Sequence, residues 1–494
     1  MDSSGNTLWH NSLVSTGTTL LQGLINLSIV IYLARVLGPT IYGVFSYTWA
    51  FTGLFVFLTV LGIPPFLTRQ LSRHMDNAQE VISYGISLMA WMSVVVMILF
   101  AISVQIIPSL GHYHLLFDWW SLIFLQMGLN PQWIFSALQR LWIPMTLNFG
   151  GAVLRLGLIL LLVHSSRNLA SAVIVTVTTL AVPLLVELVW LHRLVAFRFI
   201  RFSWGQGWRT IRESLPMGVI SSVTVLYMGM DTWILHAVMG SEAVGYYTAG
   251  YRPIIFLTTL STVYFNLAYP LLSRFIVQDA SKVRNFVRLA LLVMLAMVVP
   301  AALGGDVVAH SLMRDAFGFR YNPSGPVFVV LIWSWSISLI RDIFSTTLVA
   351  SNHEKMFAKS FTLSGVINVL LLLVLVHWGP VGTASALVMT QALLLGLNVI
   401  MVRRLGIFSP ERSLLIPFVK VLVNSVAMAA IVWIIQPYVP LWVDIGAGLM
   451  SYAGLTIIDR ALPLRMLYRL ASRQAVTNSP RGSFDDHETE TRRK

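Results

Sequence analysis

The chain has 494 residues, 56% of them hydrophobic and 11% charged, with a mean hydropathy of +0.76 and a net charge of +13. A soluble domain carries about 25% charged residues, so this composition excludes a soluble globular protein. The absence of cysteine excludes disulfides, thiolate catalysis and Cys-ligated metals. The positive charge does not call for nucleic acid, because Lys and Arg gather in the cytoplasmic loops of membrane proteins and meet anionic lipid there.

Apolar runs repeatedly reach ~20 residues, the length that spans a hydrocarbon core as a helix. A membrane β-barrel would show alternating segments of ~10 residues instead. The expected fold is an all-α polytopic membrane protein with about fourteen transmembrane helices. The spans read 12–34, 42–67, 81–107, 115–138, 141–163, 169–191, 213–236, 244–272, 286–304, 326–349, 356–377, 381–402, 414–435 and 441–460. Met1–His10 carries no Lys or Arg, so it lacks the basic region of a cleaved signal peptide and the first span is expected to be retained.

Between the first two spans, Leu33–Tyr47 forms a short polar break holding Arg35, Gly38 and Gly43. Leu235–Ala249 repeats it, with Gly240 and Gly245 at the same spacing. Leu71-Ser72-Arg73 and Leu272-Ser273-Arg274 extend the echo. A repeat of this period predicts two pseudo-symmetric six-helix lobes. The first lobe would cover residues 1–192 and the second 213–404, joined by a cytoplasmic interfacial linker at 193–212. Two further helices occupy 405–462, and 463–494 forms a basic amphipathic and then disordered cytoplasmic tail. The paired glycines read as tight turning and close helix approach.

Basic residues set the orientation. With the N-terminus in the cytoplasm, 26 of the 33 Lys and Arg fall on cytoplasmic loops and the tail, four fall outside and three lie inside spans. That asymmetry predicts cytoplasmic N- and C-termini in a cell inner (plasma) membrane. In the linker, Arg198, Arg201 and Arg209 interleave with Phe197, Phe199, Phe202, Trp204 and Trp208, a composition suited to the lipid headgroup region.

Polar residues inside spans are the candidate site. Thr18, Gln22 and Asn26 share a face of the first helix. Ser221, Thr224, Tyr227 and Asp231 form a comparable stripe on the seventh, with Thr224 opposite Gln22 in the repeat. Such stripes line a cavity or hydrogen-bond between helices. The charges Arg155, Arg252, Arg341, Asp231 and Asp342 also lie within spans, where each costs roughly 2.5–3.5 kcal/mol or more unless paired or hydrated. They form a cationic substrate site or pair with one another, for example Arg341 or Arg252 with Asp231. Asp118 and Glu187 fall near span ends, at the interface. Arg35 guards the outer mouth of a cavity or anchors at headgroups. The sequence holds no phosphate-binding glycine loop followed by Lys, no convincing metal cluster and no enzyme centre.

The run Tyr32–Ser46, with Ala34-Arg35-Val36-Leu37-Gly38-Pro39 and Tyr42-Gly43, resembles the start of the Wzx-type polysaccharide (oligosaccharide) flippases of the multidrug/oligosaccharidyl-lipid/polysaccharide exporter superfamily. Asp231, Val238–Gly240, Ala243–Tyr247 and Tyr251-Arg252 resemble that family's second block. The resemblance implies two lobes around a central cavity and a polyprenyl-diphosphate-linked oligosaccharide moved between leaflets by alternating access. Arg155, Arg341, Arg252 and Arg35 would then compensate the diphosphate, while Gln22, Asn26, Thr224, Asp231 and Asp342 would complete the cavity. No cofactor is implied beyond a coupling proton or monovalent cation, for which Asp231 is the candidate. Partners would be the lipid-linked oligosaccharide, the phospholipid bilayer and other polysaccharide-assembly membrane proteins. The arginine cluster of the lipid II flippases' first two helices is absent here except for Arg35. Cation-coupled multidrug antiport remains the alternative, with a membrane polysaccharide polymerase or ligase behind it.

Overall fold

In the computed structural model, residues 3–73, 75–278, 280–408 and 414–459 are described. Their side chains are described except at 3–16, 108–109, 216–217, 219–228, 260–271, 273–274, 277–278 and 280. The Ser221, Thr224 and Tyr227 side chains and the expected amphipathic tail therefore lie outside the described residues.

The described chain is predominantly helical, with no strand among the described residues. Its helices are α1 (Ser3–Val60), α2 (Ile63–Arg73), α3 (Ala78–Ile106), the short α4 (Pro108–Gly111), α5 (His114–Gly128), α6 (Gln132–Ala137), α7 (Trp142–Leu162) and α8 (Leu169–Leu194). They continue as α9 (Trp204–Gln278), α10 (Ala280–Leu312), α11 (Ser324–Ala350), α12 (Glu354–Leu375), α13 (Gly379–Arg404), α14 (Leu415–Ile435) and α15 (Leu441–Ile458). Among the described residues, nine helical stretches are long and apolar enough to cross a bilayer. Two of them, Gly17–Arg73 with 57 residues and Glu354–Arg404 with 51, are more than twice the ~20 residues that one crossing takes.

The two longest helices are punctuated where the sequence repeats. α1 turns at Gly38 (φ 75°, ψ 167°) and α9 at Gly240 (φ 80°, ψ −176°), a backbone region essentially reserved for glycine. Pro39 restarts α1 at a position where its missing N–H costs nothing. The expected fourth span is broken into α5 and α6 around Asn130 and Pro131. The connection between the spans read at 286–304 and 326–349 is largely helical. α10 runs on to Leu312, followed by a π turn at Met313–Phe317 and a 3-10 turn at Phe319–Tyr321.

A single large apolar cluster joins both halves of the chain, with Leu33, Phe45 and Trp120 from the first and Leu235, Tyr247 and Phe344 from the second. A second cluster, built on Leu67, Ile86 and Trp133, fills the end of the first half nearest the linker. α14 and α15 attach to α10 through a small patch at Val308, Met428, Val432 and Leu441. The Tyr452 hydroxyl donates to the Ala296 carbonyl at 2.8 Å and fixes the same attachment. The far surface of α14 and α15 is apolar and open, with Trp442 at 80% and Met450 at 79% exposure. Hydrocarbon, not water, suits such a surface.

Candidate functional site

The seam between α1 and α9 is where the two repeats meet, and its glycine-turn end is built by symmetry. A Cβ on Gly43 would overlap the Ser241 backbone, and a Cβ on Gly245 would overlap the Pro39 backbone. Gly43 and Gly245 are 202 residues apart, as are Pro39 and Ser241 and as are Gly38 and Gly240. The contact is thus isologous within one chain, each turn seating its second glycine against the residue after the other turn's first glycine. Around it, Arg35 donates to the carbonyls of Asp315 and Ala316, and the Tyr321 hydroxyl donates to the Ala34 carbonyl at 2.9 Å. Arg35 is therefore neither a free mouth residue nor only a headgroup anchor: it ties α1 to the segment after α10. Tyr47 stacks on His236 across the seam, with ring centroids 3.6 Å apart. Arg252 donates from Nε to the Tyr42 hydroxyl at 3.3 Å.

Further along the seam, Gly23 lies against Phe256 and Thr259 of α9. One turn on, Asn26 accepts a hydrogen bond from Arg155 Nη2 of α7 at 2.7 Å. Two residues expected at the site on separate grounds are thus brought together. Among the described residues Arg155 forms no ion pair, and its hydrogen-bond partner is a neutral amide. Gln22, one turn before Asn26, makes no hydrogen bond among the described residues.

The second half answers with a different arrangement. Arg341 donates to the adjacent Asp342 carboxylate, with Nε 2.9 Å from Oδ1, and from Nη1 to Gln391 Oε1 of α13 at 2.6 Å. Arg341 is thus a compensated charge, with Asp342 as its partner and not the Asp231 named from the sequence. Asp231 does not pair with Arg341 or Arg252. It is 5% exposed, and Tyr247 donates its hydroxyl to Oδ2 at 2.8 Å. Glu187, expected at the interface, is instead 3% exposed and takes a hydrogen bond from Asn148 Nδ2 at 3.2 Å. Asp118 is exposed.

Sequence reasoning missed Gln391, Tyr42, Asn148 and Tyr321. Gln391 and Asn148 carried a signal, as amides within apolar runs. Tyr321 carried none, because its value depends on the segment after α10 folding back onto α1.

At the opposite, linker end of the seam, Ser214 Oγ of α9 donates to the Leu61 carbonyl at 3.2 Å. Gly62 and Gly218 meet there, and a Cβ on either would overlap backbone of the other strand of the seam. The seam is thus in contact at both ends. Beside it the linker is pinned along α3. Gln79 Nε2 donates to the Ala196 carbonyl at 2.7 Å, and Ser83 and Ser87 accept from the N–H groups of Arg198 and Ile200 at 3.1 and 2.9 Å. A four-residue helical step and a two-residue extended step are both roughly 6–7 Å, so the three contacts stay in register. Part of the linker is therefore fixed to protein, while Phe199, Trp204 and Trp208 remain exposed.

The sequence profile of the family described as polysaccharide biosynthesis protein matches residues 8–276, more than half of the chain. No curated protein matches by sequence. Among solved structures, the lipid II flippase MurJ in an inward closed conformation is similar with a TM-score of 0.71 at 13% identity, over 91% of this chain and 99% of that one. An inward-facing multidrug resistance MATE family transporter of the MOP superfamily gives 0.56 at 15% identity, over 80% and 98%. The Vibrio cholerae MATE transporter VcmN gives 0.54 at 16%, over 82% and 99%. At these identities the structural likeness establishes the fold.

Proposed function

Since the chain belongs to the polysaccharide biosynthesis protein family, we propose that it moves a polyprenyl-diphosphate-linked oligosaccharide from the cytoplasmic to the outer leaflet of the cell membrane. The observation that carries this reading is Arg155. It is a cation inside an apolar helix, and its hydrogen-bond partner is the neutral side chain of Asn26. Leaving a guanidinium in such a place costs several kcal/mol unless an anion joins it at some point in the cycle. A diphosphate is an anion matched to the planar guanidinium fork. Gln22 and Asn26 would solvate the first sugar, and Arg252, once its contact to Tyr42 is released, would supply a second cation. Arg341 and Asp342 stand as a structural pair at the second-half wall of the proposed cavity.

Transport proceeds by alternating access, with the first half (1–192) rocking against the second (213–404). Both termini are cytoplasmic in this reading, and the residues from 405 on are accessory. Asp231 is the proposed coupling site for a proton or monovalent cation, because its carboxylate is buried with a neutral partner. That same carboxylate is what a multidrug antiporter would use, which keeps antiport as the second reading. The chain is a transporter and not an enzyme in either.

The test is complementation of a strain lacking the chain. Arg155→Ala is expected to insert normally, abolish surface polymer and leave lipid-linked oligosaccharide in the cytoplasmic leaflet, while Arg155→Lys restores part of the export. Full export by Arg155→Ala would sink the cationic-site reading. Drug efflux without any effect on polymer would replace it with antiport.

A further inference from the structure

A cleft of about 600 Å³ opens at the linker end, between α2, the start of α3, the linker and the first turns of α9. That volume lies in the range of small-molecule sites. We propose that this cleft binds the saccharide head of the lipid-linked substrate before it enters the seam. The proposal rests on the flippase reading and adds a site separate from the Arg155 region.

Gln70, Asn77, Glu80 and Arg201 line the cleft, and none of their side chains makes a hydrogen bond or ion pair among the described residues. Asn77 stands at the N-cap of α3 without using its side chain as a cap. Two amides, a carboxylate and a guanidinium supply both donors and acceptors around one space. Sugar hydroxyls need that mixture, since each donates and accepts. Tyr84 and Phe202 form the apolar side, edge to face with centroids 5.9 Å apart, and an aromatic pair offers the surface on which the C–H face of a pyranose packs.

The charges also discriminate. Glu80 offsets Arg201, and Arg209 is already paired with Glu213 at 2.9 Å. A wall of balanced sign does not attract a diphosphate, nor an anionic lipid headgroup, in preference to a neutral polyol. The polyprenyl diphosphate is left to the cationic residues within the helices.

The site is preformed, which limits the entropic cost of binding. The linker is pinned at Ala196, Arg198 and Ile200 to successive turns of α3. α9 opens with a reciprocal cap, Gln206 N donating to Ser203 Oγ and Ser203 N to Gln206 Oε1, both at 3.3 Å. Tyr84 holds the two walls together through Thr210 Oγ1 at 2.7 Å and the Gln206 carbonyl at 3.1 Å. The walls are also the flanks of the seam. α2 begins just after Leu61 and Gly62, and α9 passes Thr210 just before Ser214 and Gly218. A saccharide in the cleft therefore bridges α2 and α9 right beside the contact that must open to admit the rest of the molecule.

The experiment measures binding to the purified full chain in detergent by native mass spectrometry. Two probes are used: undecaprenyl diphosphate, and the lipid-linked oligosaccharide extracted from cells lacking the chain. The wild type is expected to prefer the sugar-bearing lipid by about tenfold, the worth of one or two good hydrogen bonds. The Asn77→Leu/Glu80→Gln/Arg201→Gln variant, in which all three positions are exposed, should lose that preference and keep its affinity for undecaprenyl diphosphate. Glu80→Gln alone should lose part of it. Free oligosaccharide released by mild acid should compete in the wild type and not in the triple variant. An unchanged preference in the triple variant overturns the proposal, as does competition by phosphatidylglycerol vesicles in place of the oligosaccharide. A wild type that binds both probes equally overturns the cleft and leaves the flippase reading standing. One that binds neither overturns both.

Discussion

The two ends of the α1–α9 seam close by different means. The glycine-turn end is symmetric: two related turns seat glycines on each other's backbone, and Arg35 and Tyr321 clip the outside of that contact. The linker end is asymmetric. Gly62 and Gly218 meet beside one side-chain hydrogen bond, Ser214 to Leu61, and a polar cleft lies against them. A symmetric backbone contact is an all-or-none fit that carries no chemical information about a ligand. The asymmetric end has side chains to spare, and there recognition can be coupled to opening.

The largest effect should come from breaking the symmetric fit. Gly245→Ala and Gly43→Ala place a methyl group inside the partner turn's backbone, which overpacking places at about 3 kcal/mol against the closed contact, roughly a 100-fold change in population. Spin labels at the exposed Thr40 and Glu242 should move apart in both variants, and export should fail. Gly53→Ala, which meets nothing within 4 Å, should leave both readouts unchanged. Equal distances in wild type and Gly245→Ala would break the claim that this contact seals the seam.

Gly218→Ala sharpens the comparison, because it should open the other end and leave the glycine-turn end closed. Its Cβ would approach the Leu61 carbonyl oxygen to 2.5 Å. We expect about 2 kcal/mol against closure there, read as increased labelling of a cysteine at Pro65 while the Thr40–Glu242 distance stays closed. Arg35→Ala comes next. It removes donors to the Asp315 and Ala316 carbonyls, and at an exposed site that amounts to about 1–2 kcal/mol. A small widening of the Thr40–Glu242 distance, with export reduced but not lost, is the expected outcome.

The sequence carried the symmetric end more fully than the asymmetric one. Five-residue glycine spacing, twice, is a local pattern, and it correctly foretold both turning and close approach. Which glycine does which is set by the fold: Gly38 and Gly240 take positive φ, while Gly43 and Gly245 meet backbone 202 residues away. Arg341 and Asp342 were each legible as charges inside a span, but the partner named for Arg341 was Asp231, and its pairing with the adjacent carboxylate was not read. Arg155 and Asn26 were each legible as a polar residue on an apolar helix, but their bond spans 129 positions and needed the packing of α7 on α1. The pinning of the linker could not be read at all, since Gln79, Ser83 and Ser87 look like ordinary helical polar residues until an extended chain is laid along them.

Tyr321 gives the smallest effect and the sharpest control. It is 1% exposed, and its hydroxyl donates to the Ala34 carbonyl. Tyr321→Phe should weaken closure at the glycine-turn end by about 1 kcal/mol, seen as a minor second population in the Thr40–Glu242 distances. Burial is the main cause that pushes the Tyr321 hydroxyl well above the ordinary tyrosine range, with Tyr42 and Tyr246 adding and Arg320 opposing. The raised value means that the closed form holds its proton more tightly than the open form. Closure is then fully supported below the open-form value of about 10 and weakens only as pH rises beyond it. Between pH 6 and 9, on that ordinary-tyrosine scale, the difference between Tyr321→Phe and wild type should be constant. A difference that vanishes within that range would mean that the contact to Ala34 does not help to hold the turns together, and that the glycine fit closes this end alone.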